Sequence, residues 1–331
     1  MSGHLDRCFG AGSGDLVGVG VGHRRWRGGV GQNEGVAVDA EVIGERQHLL
    51  ALAYRMLGTV AEAEDAVQET YSRWYRMDQP ARDEIRSARG WLTRVAGRIC
   101  LDLLGSARAR RERYVGQWLP EPVPATEFGD PATDPAARTA LDDSVSTALL
   151  LVLEAMTPAE RVTFVLHDVY AVPFAEIAEI VGRSSAACRQ LASSARARVR
   201  REPTYRVSRQ QHDRVVRAFA AANRGGDLRA LAAVLAPDVV LRSDGGGRVT
   251  AARNPVYGPD RVARFLLGAL AGRPEVEVVE RETADGLGFA LVTDATVIGV
   301  VTLAVAGEAV TEVRMVLNPD KLSRWNPAKD A

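Results

Sequence analysis

The stretch Phe174-Ala175-Glu176-Ile177-Ala178-Glu179-Ile180-Val181-Gly182-Arg183-Ser184-Ser185 decides how this chain is read. Phe174, Ile177, Ala178 and Val181 recur at i, i+3, i+4 and i+7, the spacing of one apolar helix face. Gly182 can take the positive φ that ends a helix. Ser184 or Ser185 can cap the next helix, which runs from about 186 to 200 and carries Arg189, Gln190, Ser193, Arg196, Arg198 and Arg200. A helix-turn-helix whose second helix starts small and polar and ends basic is shaped for a major groove. Arg183, Ser184, Ser185, Arg189, Gln190 and Ser193 are the candidates to face base edges, because Arg and Gln pair bidentately with guanine and adenine. Arg196 and Arg198 are placed to hold phosphates.

Upstream, Thr157-Pro158-Ala159-Glu160 has the form of a capping box with Pro at the first helical position, and Leu149, Val152, Leu153 and Met156 make a stripe before it. Pro203 ends the basic helix, so an all-α module spans 141–203. A second one spans 42–114. Leu49, Leu50, Ala53, Met56 and Leu57 form a stripe that stops at Gly58, and Thr59 with Glu62 reads as another capping box. The helix it opens places Asp65, Gln68 and Glu69 on one face and Ala66, Val67, Thr70 and Trp74 on another. After a break at Asp78-Gln79-Pro80, a helix begins near Ser87. It carries Trp91, Leu92, Val95 and Ile99, and it is basic through Arg94, Arg98, Arg108, Arg110, Arg111 and Arg113.

Residues 115–140 hold five prolines and read as a linker, with Trp118-Leu119 as an apolar anchor. From 204 the pattern changes. Helices are expected near 208–224, 227–235 and 259–270. Strands are expected at 238–243, 248–252, 275–282, 287–294, 296–305 and 308–317, with the period-two alternation of a half-buried antiparallel sheet. This predicts an α+β domain over 204–326 and a short tail at 327–331. The Gly-rich residues 1–41 read as a disordered extension.

Composition sets limits. The 331 residues carry 42 Lys+Arg and 42 Asp+Glu, so any nucleic-acid surface must come from local clustering of arginine rather than net charge. Cys8, Cys100 and Cys188 are far apart and odd in number, which offers neither a disulfide framework nor metal spacing and points to a reducing cytoplasm. No apolar run approaches the ~20 residues of a membrane span. Gly245-Gly246-Gly247 lacks the spacing of a phosphate loop. No cofactor or metal is expected.

Two helical modules joined by a linker and ending in a helix-turn-helix resemble the bacterial group IV (extracytoplasmic-function) sigma factors. Asp65 to Thr70 looks like the acidic part of region 2.2, Gly90 to Ala96 like region 2.3, and Thr157 to Arg161 with Phe174 to Arg198 like regions 4.1 and 4.2. Trp118-Leu119-Pro120-Glu121-Pro122, Asp244-Gly245-Gly246-Gly247-Arg248 and Asn318-Pro319-Asp320-Lys321-Leu322, in that order, are similar to the sigma-J-like subfamily with a fused SnoaL-like (NTF2-like) C-terminal cone domain.

The resemblance implies a non-enzymatic factor that takes RNA polymerase core to −35/−10 promoters. Asp65, Gln68 and Glu69 would meet the β′ clamp, and the region 4 module the β flap. Trp91, Arg94, Arg98, Arg108, Arg110 and Arg111 would serve the −10 element. Trp118, Leu119, Asp244, Gly245, Gly246, Gly247, Arg248, Asn318, Pro319, Asp320, Lys321 and Leu322 would make contacts by which the C-terminal domain regulates in cis. Arg248 stands where the subfamily has Lys, and Leu103, Gly105 and Ser194 stand where Arg is expected. Each lost phosphate contact lowers the salt slope by about 0.9, so a weaker promoter grip follows. Two alternatives stay open: a small-molecule ligand sensed by the C-terminal domain, and an enzyme tethered to a DNA-binding part. His212, Asp238, Asp244, Tyr257, Asp294 and Arg314 are its candidate polar groups, with no obvious acid–base pair among them.

Overall fold

The computed structural model describes residues 42–111, 114–128, 147–201 and 207–327. The 1–41 extension, the linker residues 129–140, the last four residues, Arg113 and the side chains of Arg108, Arg110 and Arg111 lie outside the description.

The first helical module contains α1 (Arg46–Leu57), α2 (Val60–Arg76), α3 (Gln79–Asp83) and α4 (Ala88–Arg111). α1 ends at Gly58, whose φ of 82° is left-handed and whose N–H returns to Tyr54 O. Ala66, Val67 and Trp74 of α2 face Leu92, Ala96 and Ile99 of α4 in a common core. The start of α2 departs from the expected capping box. Thr59 Oγ1 donates to Glu62 Oε2 at 3.0 Å, and the Thr59 side chain caps no amide. The amide of Val60 is instead held by Glu121 Oε2 at 2.8 Å. A carboxylate from the linker does the capping, which no local pattern could show.

The second module contains α5 (Thr147–Glu154), α6 (Pro158–Phe164), a π-helical turn (Val165–Val169), α7 (Phe174–Val181) and α8 (Ser185–Arg201). Here the capping box of Thr157 and Glu160 forms as expected. Gly182 closes α7 at φ 69°, and Ser184 Oγ accepts the amide of Ala187 at the start of α8. The two modules share one continuous core, in which Leu49, Leu57, Leu92 and Ile99 pack with Leu150, Leu153, Leu166, Ile177 and Cys188.

The C-terminal domain contains α9 (Arg209–Arg224), α10 (Leu228–Ala233), β1 (Leu235–Asp244), β2 (Val256–Tyr257), α11 (Pro259–Ala271), β3 (Glu277–Thr283), β4 (Gly286–Thr293), β5 (Thr296–Ala306) and β6 (Ala309–Val316). The sheet order is β2-β1-β6-β5-β4-β3. It is mixed rather than wholly antiparallel, because β1 lies parallel to β6, Leu241 beside Val313 and Ser243 beside Met315. The strand expected at 248–252 is not formed. The amides of Arg248 and Val249 turn back to Gly245 O, and β1 finds its outer partner at Val256–Tyr257 instead.

One face of the sheet presents Leu241, Phe289, Val301, Leu303, Val313 and Met315 to Val216, Phe219, Val262 and Leu266 of the helices. The opposite face presents Val300 and Val316 to Leu119 of the linker, Leu322 and Trp325 of the tail and Leu151 of α5. Sheet alternation thus builds two interfaces, one inside the domain and one toward the rest of the chain. Residues 41–331 form one compact unit. Among the described residues no helix is long and apolar enough to cross a membrane.

Candidate functional site

The three segments singled out as regulatory contacts meet at one carboxylate. Asp244, fully buried at the end of β1, accepts from Tyr114 Oη (2.6 Å) and the Gly246 amide (3.0 Å) through Oδ1. Through Oδ2 it accepts from the Leu119 amide (2.9 Å) and Lys321 Nζ (2.7 Å). Its backbone oxygen takes the amides of Leu317 and Asn318. Lys321, itself 5% exposed, also donates to Leu119 O and lies 4.2 Å from the Trp118 ring centre and 5.2 Å from that of Tyr114. Asn318 Nδ2 donates to Tyr114 Oη at 2.8 Å. A buried charge is tolerated only when it is paired and its remaining lone pairs are met, and Asp244 satisfies both conditions. Burial, followed by the bond to Asp244, pushes the Tyr114 hydroxyl far above its ordinary range, so it stays a donor.

The glycines around Asp244 are steric requirements. Gly246 has φ 63°, and a Cβ there would fall 2.4 Å from Asn318 Cγ. Arg248 reaches Asp320 at 2.9 Å, so the arginine in the place of lysine makes a loop-to-tail ion pair; both partners are exposed, which keeps its contribution small.

The linker continues from this junction toward the helices. Glu121 is 3% exposed. Its amide donates to Gly58 O, its carbonyl accepts Tyr54 Oη at 2.6 Å, and its carboxylate caps α2. Burial, opposed by the Val60 amide and by Arg324 and Lys321, raises its carboxyl to about 7. Pro124 bridges Thr283 at the end of β3, the open edge of the sheet, and the amides of Ala284 and Ala125 bond across this joint to Val123 O and Glu282 O. Trp325 Nε1 donates to Pro122 O at 2.8 Å, and Arg324 pairs with Glu64 on α2 and Glu127.

The two helical modules also hold each other. Arg161 Nη1 reaches Met56 O (2.8 Å) and Glu154 (2.6 Å). Tyr170 lies edge-on to His48 and is hydrogen-bonded by Arg55. Burial first, then Arg89 and Arg55, lower His48 to about 4. Arg98 donates to Ile180 O at 2.8 Å, and Arg94 lies 3.9 Å from Glu176.

The residues expected to meet polymerase and DNA fall into distinct groups. Asp65 and Gln68 are exposed on α2, while Glu69 is partly buried and pairs with Arg73. Arg183, Ser184, Arg189, Gln190 and Ser193 are exposed on the helix-turn-helix, and Ser185 is partly buried. Arg189 also lies 5.7 Å over the Phe174 ring. Arg196 pairs with Asp168, and Arg198 reaches Ala155 O and the vicinity of Glu160. Ser194 donates to Glu160 Oε1 at 2.7 Å, so this position is part of a cap network. Trp91 is half-buried and packs edge-on against Trp74, with ring centres 5.3 Å apart.

The candidate polar groups of the C-terminal domain do not converge. His212 bonds Leu303 O and Asp213, Arg314 is held by Glu312, Asp244 lies in the junction, and Asp238, Tyr257 and Asp294 are exposed. Among the described residues no three His, Cys, Asp or Glu side chains gather to hold a metal ion. Sequence reasoning did not single out Tyr114, Arg161 or Arg324. Each acts across more than a hundred residues or between modules, and nothing in its neighbours marks it.

Comparison with known proteins places the modules. Residues 44–110 match the family described as Sigma-70 region 2, and 146–199 match Sigma-70, region 4. The chain is 47% identical over 225 residues to ECF RNA polymerase sigma factor SigJ of Mycobacterium tuberculosis, covering 67% of this chain and 70% of that protein. It is 37% identical over 289 residues to "Probable ECF RNA polymerase sigma factor SigI" of the same species, covering 86% and 94%. The crystal structure of the M. tuberculosis extracytoplasmic function sigma factor SigJ aligns with a TM-score of 0.68 at 38% identity, over 88% of this chain and 100% of that one.

Proposed function

Because this chain belongs to the extracytoplasmic-function sigma factors, which direct RNA polymerase to promoters for transcription initiation, we propose that its C-terminal domain regulates that step in cis through the buried Asp244 junction. Its partners are core polymerase and promoter DNA, and sigma-factor identity indicates an initiation factor rather than an enzyme. The observation that carries the regulatory reading is the convergence of linker, strand end and tail on one carboxylate of zero exposure.

Geometry gives the regulation a purpose. Elements centred at −35 and −10 are about 25 base pairs apart, roughly 85 Å along B-DNA. Here Arg98 of the first module touches Ile180 of the second at 2.8 Å. Both promoter elements cannot be read in this arrangement, so the modules must part. The chain between Arg111 and Thr147 can extend to roughly 120 Å, which permits the separation. The C-terminal domain holds both sides: the linker at Leu119 and Pro124, α2 through Arg324 and α5 through Leu151.

In the opened state, Arg183, Ser184, Ser185, Arg189, Gln190 and Ser193 read the −35 element. Arg196 and Arg198 hold phosphates only after leaving Asp168 and Glu160. Trp91, Arg94, Arg98 and the basic end of α4 with Arg108, Arg110 and Arg111 serve the −10 element. Asp65, Gln68 and Glu69 meet the β′ clamp, as charge complementarity favours. The small-molecule reading gains no support from the domain core, where Phe219 and Phe289 stack at 6.3 Å among Leu303 and Met315.

The test is run-off transcription with core polymerase and full-length protein, wild type against Asp244→Ala. A several-fold rise is expected. Equal yields would remove the regulatory reading. A loss with core binding intact would make the junction a scaffold rather than a restraint.

A further inference from the structure

Outside the Asp244 junction, the C-terminal domain touches the second helical module at a place no motif marks. The β3–β4 turn presents Asp285, whose side chain is 8% exposed. Its Oδ1 accepts the backbone N–H of Thr147 at 2.6 Å. Thr147 is the first residue of α5, and its amide is among those a helix cannot satisfy internally. A carboxylate there also meets the positive end of the helix dipole.

The turn that carries Asp285 is braced. Its amide donates to Thr283 Oγ1 at 3.1 Å, and Thr283 Oγ1 donates to Gly286 O at 2.9 Å. Asp285 Oδ2 is 3.8 Å from the guanidinium of Arg314, which is 3% exposed. Arg314 Nε donates to Glu312 at 2.9 Å, and Arg242 takes the other oxygen of Glu312 at 2.8 Å. Burial alone would raise the Glu312 carboxyl; Arg314 and then Arg242 outweigh it and hold it low. The row Arg242–Glu312–Arg314–Asp285 thus forms a charged shelf on the sheet that ends at the start of α5.

α5 is the element that such a contact would control. Leu150 and Leu153 face the shared helical core, while Leu151 packs with Val300, Val316 and Leu322 on the sheet. Glu154 at its far end pairs with Arg161, which reaches Met56 O of the first module.

We propose that Asp285 is a positioning residue that caps α5 from the C-terminal domain, latching the −35-reading module to the sheet as an attachment separate from the Asp244 junction. The junction holds linker and tail, and the latch holds the helix-turn-helix module itself. The consequence for transcription rests on the regulatory reading above; the latch does not.

Hydrogen exchange on the full-length protein tests it, followed by mass spectrometry of peptides covering 147–154. Loss of an N-cap weakens a helix start by about five-fold or more in its opening equilibrium. Asp285→Ala is expected to speed exchange there by at least that factor while β5 and β6 keep wild-type protection. Asp285→Asn, which retains an oxygen to accept the amide, is expected to stay close to wild type. Thr147→Pro removes the donor from the other side without touching the C-terminal domain and leaves the helix start permitted. It should speed exchange in the rest of 147–154, and adding Asp285→Ala to it should change little more. Unchanged exchange in Asp285→Ala would overturn the latch, as would Asp285→Asn behaving like Asp285→Ala. If Asp285→Ala unfolds the domain, Thr147→Pro alone decides: unchanged exchange overturns the latch. Faster exchange with unchanged run-off transcription would uphold the latch and leave the regulatory reading to the Asp244→Ala test.

Discussion

Asp244 shows how one side chain can carry an interdomain joint. Four donors from three segments meet its two oxygens, and the ammonium of Lys321 is packed against Trp118 and Tyr114. Removing one member of a buried pair strands the other charge, a loss of about 3–5 kcal/mol. Asp244→Ala is therefore expected to lower unfolding free energy in urea by that order, and Lys321→Met on the Asp244→Ala background to recover part of it. A second residue-scale prediction follows from Gly246, whose Cβ would overlap Asn318 while the backbone holds φ 63°. Gly246→Ala should cost more than 1 kcal/mol in the same assay, since both strain and overlap act. A neutral Gly246→Ala would mean that the loop relaxes without loss.

At the scale of elements, the start of α2 is the place where local pattern and structure part. Thr59 and Glu62 have the spacing of a capping box, yet the Val60 amide belongs to Glu121 of the linker. Thr157 and Glu160 have the same spacing and do cap α6, because no distant carboxylate competes there. The helix-turn-helix was legible for a similar reason: the α7 stripe, Gly182 and Ser184 act within a few residues of one another. The strand pairing was less legible, since parallel β1–β6 contact joins segments about seventy residues apart and alternation is silent on direction. The three junction motifs were visible as segments, but their meeting at Asp244 is a tertiary fact, as is the Asp285 cap.

Glu121 gives the element scale its pH dependence. Its carboxyl rises from an ordinary 4.5 to about 7 in the docked linker, with Arg324, Lys321 and Glu127 as the charged neighbours. The docked state therefore binds the extra proton, and its stability falls as pH rises from about 4.5 to about 7. At ~1.4 kcal/mol per unit the full effect is up to about 3 kcal/mol. His48, lowered to about 4, acts in the opposite sense below its ordinary 6.5, so the measurement is a difference between variants. Glu121→Gln keeps an acceptor for Val60 and loses the charge. It should match wild type in urea stability near pH 5 and exceed it at pH 8. A constant difference across that range would assign the Glu121 carboxylate no part in linker docking.

For the whole molecule, the shared core is the central observation. Regions 2 and 4 pack as one hydrophobic body, and the C-terminal sheet covers the linker, the tail and α5 with its outer face. Promoter recognition requires that body to divide, because its two readers lie side by side and their targets lie roughly 85 Å apart on B-DNA. A ligand shifts such an equilibrium only through its preference for one state. On the reading proposed above, core polymerase and promoter together supply that preference and the C-terminal domain opposes it. Gly97 offers a probe of the closed body, since a Cβ there would approach Leu166 Cδ1 at 3.2 Å.

The most direct test is the distance between a spin label at Asp102 on α4 and one at Arg200 on α8, read by pulsed electron resonance in the full-length protein. The account predicts a short distance in the free protein that lengthens by several tens of Å, toward the ~85 Å element spacing, in a transcribing complex with core polymerase and promoter. A short distance retained in that complex would contradict it.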